Sequence, residues 1–498
     1  MNSWIRLAEK DSAIVALQPF QAGDSIILED GTALTLLDDV PKGHKILTRA
    51  ARAGEDVVKY GYSIGKAVCD IAPGSWVHTH NLRTGLQGIK EDYGYAPAAA
   101  IAPAERPTGR MFQGYLRSDG QVGIRNEIWI INTVGCINRT CETLARRATA
   151  AFGGRIDGVH HFAHPFGCSQ LGDDLVHTQR LLAALVNHPN AAAVLVAGLG
   201  CENNQIDSFK QAIGPHDPDR IKFMKLQDEE DELEAGMALL SELADYAERF
   251  KREPVPVSKL KLGLKCGGSD GLSGITANPL VGAVADRLAQ EGGTAILTEV
   301  PEMFGAETIL MNRAADEQIF QGIVHLVNDF KNYFIRHGQE VYENPSPGNK
   351  AGGISTLEEK SLGCTQKGGQ VAVTDVLPYG GRASRPGLAL LEAPGNDLVS
   401  VTALSASGAH IVLFTTGRGT PFGGPVPTVK LSSNSELAAR KKNWIDFNAG
   451  RLLEDATMDQ LADELWNYVI ALASGERQTN NERNDFREIA IFKDGVIL

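Results

Sequence analysis

No apolar run in this sequence approaches the ~20 residues needed to span a bilayer; the strongest, Ala191 to Gly200, is half that length and contains glycine. A soluble protein is expected. The first residues, Met1-Asn2-Ser3-Trp4-Ile5-Arg6, lack the basic-then-apolar pattern of a signal peptide. Cations are in deficit, with 48 Lys plus Arg against 61 Asp plus Glu and a net charge of −13. An acidic surface repels nucleic acid and anionic lipid, so neither is an expected partner. The seven cysteines are odd in number, spread along the chain, and form no CxxC pair. That excludes a zinc ribbon or thioredoxin motif as a local feature and fits a reducing, cytoplasmic compartment. GxSxG, HExxH and Walker A sequences are also absent.

What the sequence does hold is length and glycine. At ~150 residues per domain, 498 residues imply about three domains. Glycine contributes 53 residues, about 11% against an ordinary ~7%, which means either linkers or loops whose backbone closely approaches a ligand. Residues 1–95 read as a small all-β unit. Ile26 and Leu28 alternate before Asp30-Gly31, with Leu34 and Leu36 after it, which predicts a hairpin with a two-residue turn. Further strands are predicted at Val57-Val58 and from Trp76 to His80. The Ala/Pro-rich stretch 96–110 reads as a linker, and Pro254 to Ser258 as a second one.

From 111 to 253 and again from 254 to 498 the pattern becomes strand, glycine-rich loop, helix. Strands are predicted at 128–133, 193–197, 260–264, 294–298 and 411–415, a helix carrying Leu171, Leu175, Leu182 and Leu185, and an acidic helix at 228–252. Asn278-Pro279 reads as N-cap and first helical residue. Alternating elements argue for α/β domains with mainly parallel sheets, whose ligands bind beyond the carboxyl ends of the strands. Cys136, Cys201, Cys266, Glu299 and Arg418 are all predicted at such ends. Residues 342–369 show little periodicity and read as a long functional loop carrying Lys350, Lys360 and Lys367.

Five cysteines, Cys136, Cys168, Cys201, Cys266 and Cys364, are next to glycine in predicted loops. A structural free cysteine is normally a small buried hydrophobe inside an element, so these are candidate metal or cluster ligands. His78 and His80, two apart on a predicted strand, would leave the same face, with His44 as a third ligand. Otherwise they are polar residues on a solvated face. His164 precedes an acidic helix start and is a candidate base. The Gly198/Gly200 pair does not complete a dinucleotide fingerprint, because Asn203 takes the third glycine's place.

Long stretches then carry a resemblance. GCSQLGDD at 167–174, GLGCENNQ at 198–205, CGGSDGLSGITANP at 266–279, TEVPEMFGAE at 298–307, NPSPGNKAGGI at 344–354, SLGCTQKGG at 361–369 and TGRGTP at 416–421 resemble the altronate/galactarate dehydratase family. KYGYSIGKA, VHTHN and TNNERNDFRE do so too, the last with Asn480 or Asn481 where a cysteine is expected. The resemblance covers essentially the whole chain. It implies an N-terminal β-clip domain of the SAF type followed by two α/β domains. It also implies an Fe²⁺-dependent, Mn²⁺-tolerant hydro-lyase that converts D-altronate to 2-keto-3-deoxy-D-gluconate in hexuronate catabolism.

Such a reaction removes a C2 proton beside a carboxylate and expels the C3 hydroxyl, so it needs local positive charge and a positioned acid. A metal, Lys350, Lys367 and Arg418 are candidates for the charge, and Asn203, Asn204, Ser269 and Asp270 for binding the polyol. His164 is the expected base, and a lysine of the long loop the acid. Iron has two expected placements: a mononuclear site on histidine and carboxylate, or an iron–sulfur cluster on three or four loop cysteines. A galactarate or other sugar-acid dehydratase, a nucleotide-dependent oxidoreductase, and a non-enzymatic sugar-acid-binding scaffold are the competing readings. A homodimer is a further expectation.

Overall fold

A computed structural model describes residues 3–90, 92–97, 100 and 107–495. The predicted linker 96–110 lies largely outside the described residues. The N-terminal unit is all β. Trp4–Ile5, Ala13–Ala16, Lys45–Leu47 and Trp76–Val77 form one antiparallel sheet, and Asp56–Lys59, Tyr62–Ala67 and Leu82–Arg83 another. The predicted hairpin forms between Ser25–Ile27 and Ala33–Thr35, with Ile26 opposite Leu34. Its turn is longer than predicted: the Leu28 N–H reaches Thr32 O, leaving three loop residues, with Gly31 at φ +83°. A three-residue loop needs that left-handed position, which glycine takes without a Cβ penalty.

The middle unit is a four-stranded parallel sheet of β1 (Glu127–Asn132), β2 (Gly158–His161), β3 (Ala191–Gly198) and β4 (Ile221–Lys225), in the order β2-β1-β3-β4. Its helices are α1 (Asn138–Phe152), α2 (Gly172–Val186), α3 (Ile206–Ile213) and α4 (Glu232–Glu248). The predicted linker at 254–258 is instead mostly strand. Arg252–Pro256 pairs antiparallel with Met111–Leu116 at the edge of a three-stranded sheet, where Pro254 needs no donor on its open side.

The last unit is a seven-stranded, all-parallel sheet: β5 (Lys261–Cys266), β6 (Thr294–Leu297), β7 (Val373–Leu377), β8 (Gly387–Leu391), β9 (Ile411–Thr416), β10 (Thr428–Ser432) and β11 (Phe447–Asn448). The order is β7-β8-β6-β5-β9-β10-β11, so the chain winds outward on one side of β5 and then resumes on the other. Its helices include α5 (Ala277–Gln290), α6 (Glu317–Arg336), α7 (Pro347–Ala351), α8 (Leu357–Cys364), α9 (Asp397–Ala406) and α10 (Met458–Ala473). Asn278 lies inside α5, not at its cap; its side chain donates to Gly363 O and accepts from the Thr415 hydroxyl.

Residues 342–369, expected to be a loop, hold α7 and α8. Every residue of α8 is buried, and a helix buried all round shows no amphipathic period. One apolar cluster joins the two α/β units: Leu181, Leu182 and Leu185 of α2 pack with Val401 and Leu404 of α9 and with residues of both sheets. At ~1.5–3 kcal/mol per fully buried side chain, this shared core holds the units together. No helix among the described residues is long and apolar enough to cross a membrane.

Candidate active site

In the seven-stranded sheet the winding reverses between β5 and β9, and open α/β sheets bind ligands in the crevice at such a point. A cavity of about 850 Å³ lies there, walled by Cys266, Glu302, Asn349, Lys360, Asp397 and Arg418 among others. The two strand ends are stitched together, Gly267 N–H to Thr415 O and Gly417 N–H to Gly268 O, both at 3.0 Å. Side chains would not fit: a Cβ on Gly417 would sit 2.2 Å from Asp270 Cγ, and one on Gly267 2.5 Å from the Phe414 ring.

The floor is a buried ionic network. Lys265 and Lys367 both bind Glu299, the latter at 2.7 Å, and Glu299 also accepts from Cys266 N–H. Glu299 takes a left-handed φ of 70°, a backbone cost that its three partners hold in place. Nearer the cavity, Lys360 Nζ lies 2.8 Å from Glu302 Oε1. The other oxygen, Oε2, accepts from the thiols of Cys266 at 3.2 Å and Cys364 at 3.1 Å, and the two sulfurs are 3.3 Å apart. Burial works against the Glu302 charge, but Lys360, Lys265 and Lys367 outweigh it and hold its carboxyl well below the usual range. Burial likewise opposes the Lys360 charge, yet Glu302 and the two cysteines keep it an ammonium. The bond from Cys266 and burial push the Cys364 thiol up.

Helix α8 delivers Lys360 and ties the N-terminal unit to the site. Its three consecutive charged residues address three places. Glu358 accepts from the Thr84 hydroxyl and Gly85 N–H; Glu359 binds Lys45 and Lys59, each at 2.8 Å; Lys360 reaches Glu302, Asn344 and Asn349. The Lys45–Glu359–Lys59 triad is fully enclosed. Burial opposes the Glu359 charge, and the two lysines override it, lowering its pKa to about 2. A second cavity of about 330 Å³ lies between Lys42-Gly43 and the sheet end, with Asp270, Asn434 and Arg418 in its wall.

Of the residues singled out in the sequence, the structure brings Arg418 and Cys266 to the main cavity. Arg418 is exposed there, its guanidinium 3.3 Å from Gly348 O. Lys367 is enclosed against Glu299 and does not reach the cavity, and Lys350 lies on α7, also outside the lining. Ser269 is buried under Asn349, and Asp270 is consumed by Ser273, Ser433 and Asn434 in the wall of the smaller cavity. His164 lies in the middle unit, outside the lining of this cavity. It is buried with Nε2 2.9 Å from Asn132 O and Nδ1 accepting from Phe166 N–H, and burial lowers its pKa. Asn203 and Asn204 lie in the middle unit, bonded to Ser169 N–H and Thr133 O.

The histidine trio does not assemble into a metal site. The strand stops at Val77, so His78 and His80 do not share a strand face. His44 Nδ1 accepts from the Trp76 indole, His78 Nδ1 lies 2.9 Å from Ser355 Oγ, and His80 packs on Trp76. Burial lowers the His44 and His78 pKa values to about 4. Among the described residues, Cys266, Glu302 and Cys364 alone bring three donor atoms within 4.8 Å of one another. That set fits a single cation poorly: Lys360 already sits 2.8 Å from its carboxylate, and a dication would share a low-dielectric pocket with fixed ammonium groups.

Sequence reasoning passed over Glu302, Lys265 and Asp397 as site residues, and noted Lys360 only as part of a loop. Glu302 sits four residues past a predicted strand end in TEVPEMFGAE, and Asp397 opens α9; their positions at sheet ends were the available signal.

Comparison with known proteins agrees in all three parts of the chain. Residues 2–85 match the altronate/galactarate dehydratase SAF domain, 114–248 the D-galactarate dehydratase/altronate hydrolase second domain, and 257–497 the D-galactarate/altronate dehydratase C-terminal domain. The chain is 52% identical over 497 residues to an altronate dehydratase of Escherichia coli K12, covering 99% of this chain and 100% of that one. It is 51% identical over 501 residues to an altronate dehydratase of Bacillus subtilis 168, covering 100% of both. A galactarate dehydratase (L-threo-forming) of Escherichia coli K12 is 31% identical over 483 residues, covering 93% of this chain and 92% of that one.

Proposed function

The chain belongs to the D-galactarate/altronate dehydratase family, and on that premise we infer that it dehydrates D-altronate to 2-keto-3-deoxy-D-gluconate in the cavity at the β5/β9 crevice. The observation that carries the site is the Lys360–Glu302 pair, which faces the cavity beside the exposed Arg418. A sugar acid entering it is an anion approaching a protein of net charge −13. Arg418 is the cation it meets, and a guanidinium binds a carboxylate through paired N–H donors. Asn396, which also lines the cavity, offers its side-chain N–H groups to the polyol hydroxyls, while Asn349 holds Lys360 in place.

Elimination then needs a base at C2 and an acid at the C3 oxygen. Glu302, held ionised, accepts the C2 proton. Lys360, held as an ammonium, gives a proton to the leaving hydroxyl, which departs as water. The enol formed tautomerises to the 2-keto acid. The network sets the protonation states the reaction needs, a carboxylate to accept and an ammonium to donate, while making Glu302 a weaker base and Lys360 a weaker acid than the free groups. Helix α8, anchored to the N-terminal unit through Glu358 and Glu359, holds Lys360 in a buried setting whose lower dielectric strengthens its pairing with Glu302.

We propose iron as the cofactor. Bound near the substrate it would stabilise charge growing beside the carboxylate, but neither the histidines nor the Cys266 set fits a single ion, and no step above depends on one. All seven cysteines are free thiols, which supports our placing the enzyme in the reducing cytoplasm, in hexuronate breakdown. The test is incubation of the purified protein with a panel of aldonates and aldarates, scoring 2-keto-3-deoxy acid. Turnover of D-altronate above the other acids is expected; turnover of galactarate but not altronate would overturn the substrate assignment.

A further inference from the structure

The four-stranded sheet repeats the arrangement of the larger one, with its order reversing between β1 and β3. Three cysteines stand beyond its strand ends: Cys136 after β1, Cys168 after β2 and Cys201 after β3, all exposed. Their loops are fastened to one another. Gly135 N–H donates to Phe166 O at 2.8 Å, Asn204 N–H to Gly167 O at 3.1 Å, Ser169 N–H to Asn203 Oδ1 at 2.9 Å, and Asn204 Nδ2 to Thr133 O at 3.1 Å.

The residue before each cysteine is a glycine with no room for a Cβ. One on Gly135 would lie 2.6 Å from His164 O, one on Gly167 1.9 Å from Thr133 O, and one on Gly200 2.5 Å from Gln227 Oε1. The hydrogen bonds between the loops, with the close approaches at Gly135 and Gly167, bring the three cysteine-bearing segments together at one rim. A buried free cysteine is ordinary, but three exposed ones on a single rim are not.

We propose that Cys136, Cys168 and Cys201 bind an iron–sulfur cluster of the four-iron type, with their thiolates on three irons and the fourth left open. A single ion does not fit. Three thiolates at ~2.3 Å from one tetrahedral ion lie within about 4 Å of each other, and these sulfurs do not gather within 4.8 Å. A polynuclear cluster holds its thiolates further apart. Each loop runs on into a helix, Cys136 toward α1, Cys168 toward α2 and Cys201 toward α3, so each cysteine is carried on a connection anchored at both ends. Ser169 Oγ lies 3.7 Å from Cys168 Sγ and Gln227 Nε2 3.8 Å from Cys201 Sγ, contacts of the kind that tune a cluster. The buried Asn204 Oδ1 has no partner. Assembly takes ferrous and ferric iron in equal parts with sulfide, the oxidation level of the cluster itself, so that no net electron transfer is needed, and it releases the three thiol protons.

The Cys168 loop leads into α2, where the Asp174 carboxylate accepts from the N–H groups of Asp494 and Gly495, just past Phe492 in the cavity wall. The binding of the cluster does not rest on the dehydratase reading.

The test is anaerobic reconstitution of the full chain with ferrous and ferric iron and sulfide, followed by iron and acid-labile sulfide counts and visible absorption. Wild-type protein should hold about four of each per chain. C136S, C168S and C201S should each lose the sulfide and the absorption with unchanged circular dichroism, while the C266S/C364S double variant keeps them. Wild-type protein that binds iron without sulfide would overturn the proposal, as would sulfide kept by the triple C136S/C168S/C201S variant. If the wild type dehydrates altronate but holds no sulfide, the cluster falls and the function stands. If it assembles the cluster but turns over no aldonate, the cluster stands and the substrate reading falls.

Discussion

Glu302 divides its carboxylate between two kinds of partner, an ammonium on one oxygen and two thiols on the other. That division keeps Lys360 charged and close to the cavity in a buried setting where an unpaired lysine would lose its proton. Lys360→Met keeps the stem's packing and removes the proton donor. It should lower kcat by ~10²–10⁴-fold, the usual contribution of general acid–base catalysis, as read by 2-keto-3-deoxy acid formation under saturating altronate. Arg418→Ala should act differently, because Arg418 is exposed and holds the substrate anion throughout. A charged hydrogen bond contributes about 1.5–3 kcal/mol, so KM should rise roughly 10–150-fold with kcat little changed. An equal fall in kcat would place Arg418 in the chemistry instead. Arg418 was legible because its strand end and glycine neighbours are local signals. Glu302 and Lys360 were not, because their pairing joins positions 58 residues apart and spacing says nothing about which charges meet.

Helix α8 shows how an element can be invisible in the sequence and central in the fold. Residues 357–364 carry two glutamates and a lysine, all buried, a composition that reads as solvent-facing. The partners that make burial tolerable come from elsewhere: Lys45 and Lys59 from the N-terminal unit, and Glu302 from the end of β6. Glu359→Gln would leave two buried ammonium groups facing a neutral amide, and removing one partner from such a set costs about 3–5 kcal/mol. Denaturant unfolding should show a loss of that size. The pH dependence has a definite sign. Glu359 has its pKa lowered to about 2 from an ordinary 4.5, so the triad's stabilisation is complete above pH 4.5 and is lost as pH falls from there toward 2. Wild-type protein should therefore lose stability steeply across that window, and Glu359→Gln should do so less steeply. Five of the eleven parallel strands, β1, β3, β5, β6 and β9, were legible to within a few residues, since continuous apolar runs bounded by glycine are a local property; the other six were not predicted.

Across the whole molecule, two parallel sheets of different size each place cysteine, glycine and polar residues where the strand order reverses. The alternation of strand and helix made both sheets predictable, along with the preference for their carboxyl ends. It did not reveal that the N-terminal β unit closes over the larger sheet, because that docking depends on buried ion pairs between residues some 300 apart. The glycine excess has a matching explanation. Gly135, Gly167, Gly200, Gly267 and Gly417 stand where loops press together at the two crevices, not in linkers. Altronate is proposed to be dehydrated in the β5/β9 cavity, between Arg418 and the Lys360–Glu302 pair. A crystal structure of Lys360→Met soaked with D-altronate tests it most directly, since the variant should bind the acid without consuming it. The sugar acid is predicted in the cavity with its carboxylate on Arg418 and its C2 side toward Glu302; altronate bound elsewhere, with this cavity empty, would contradict the claim.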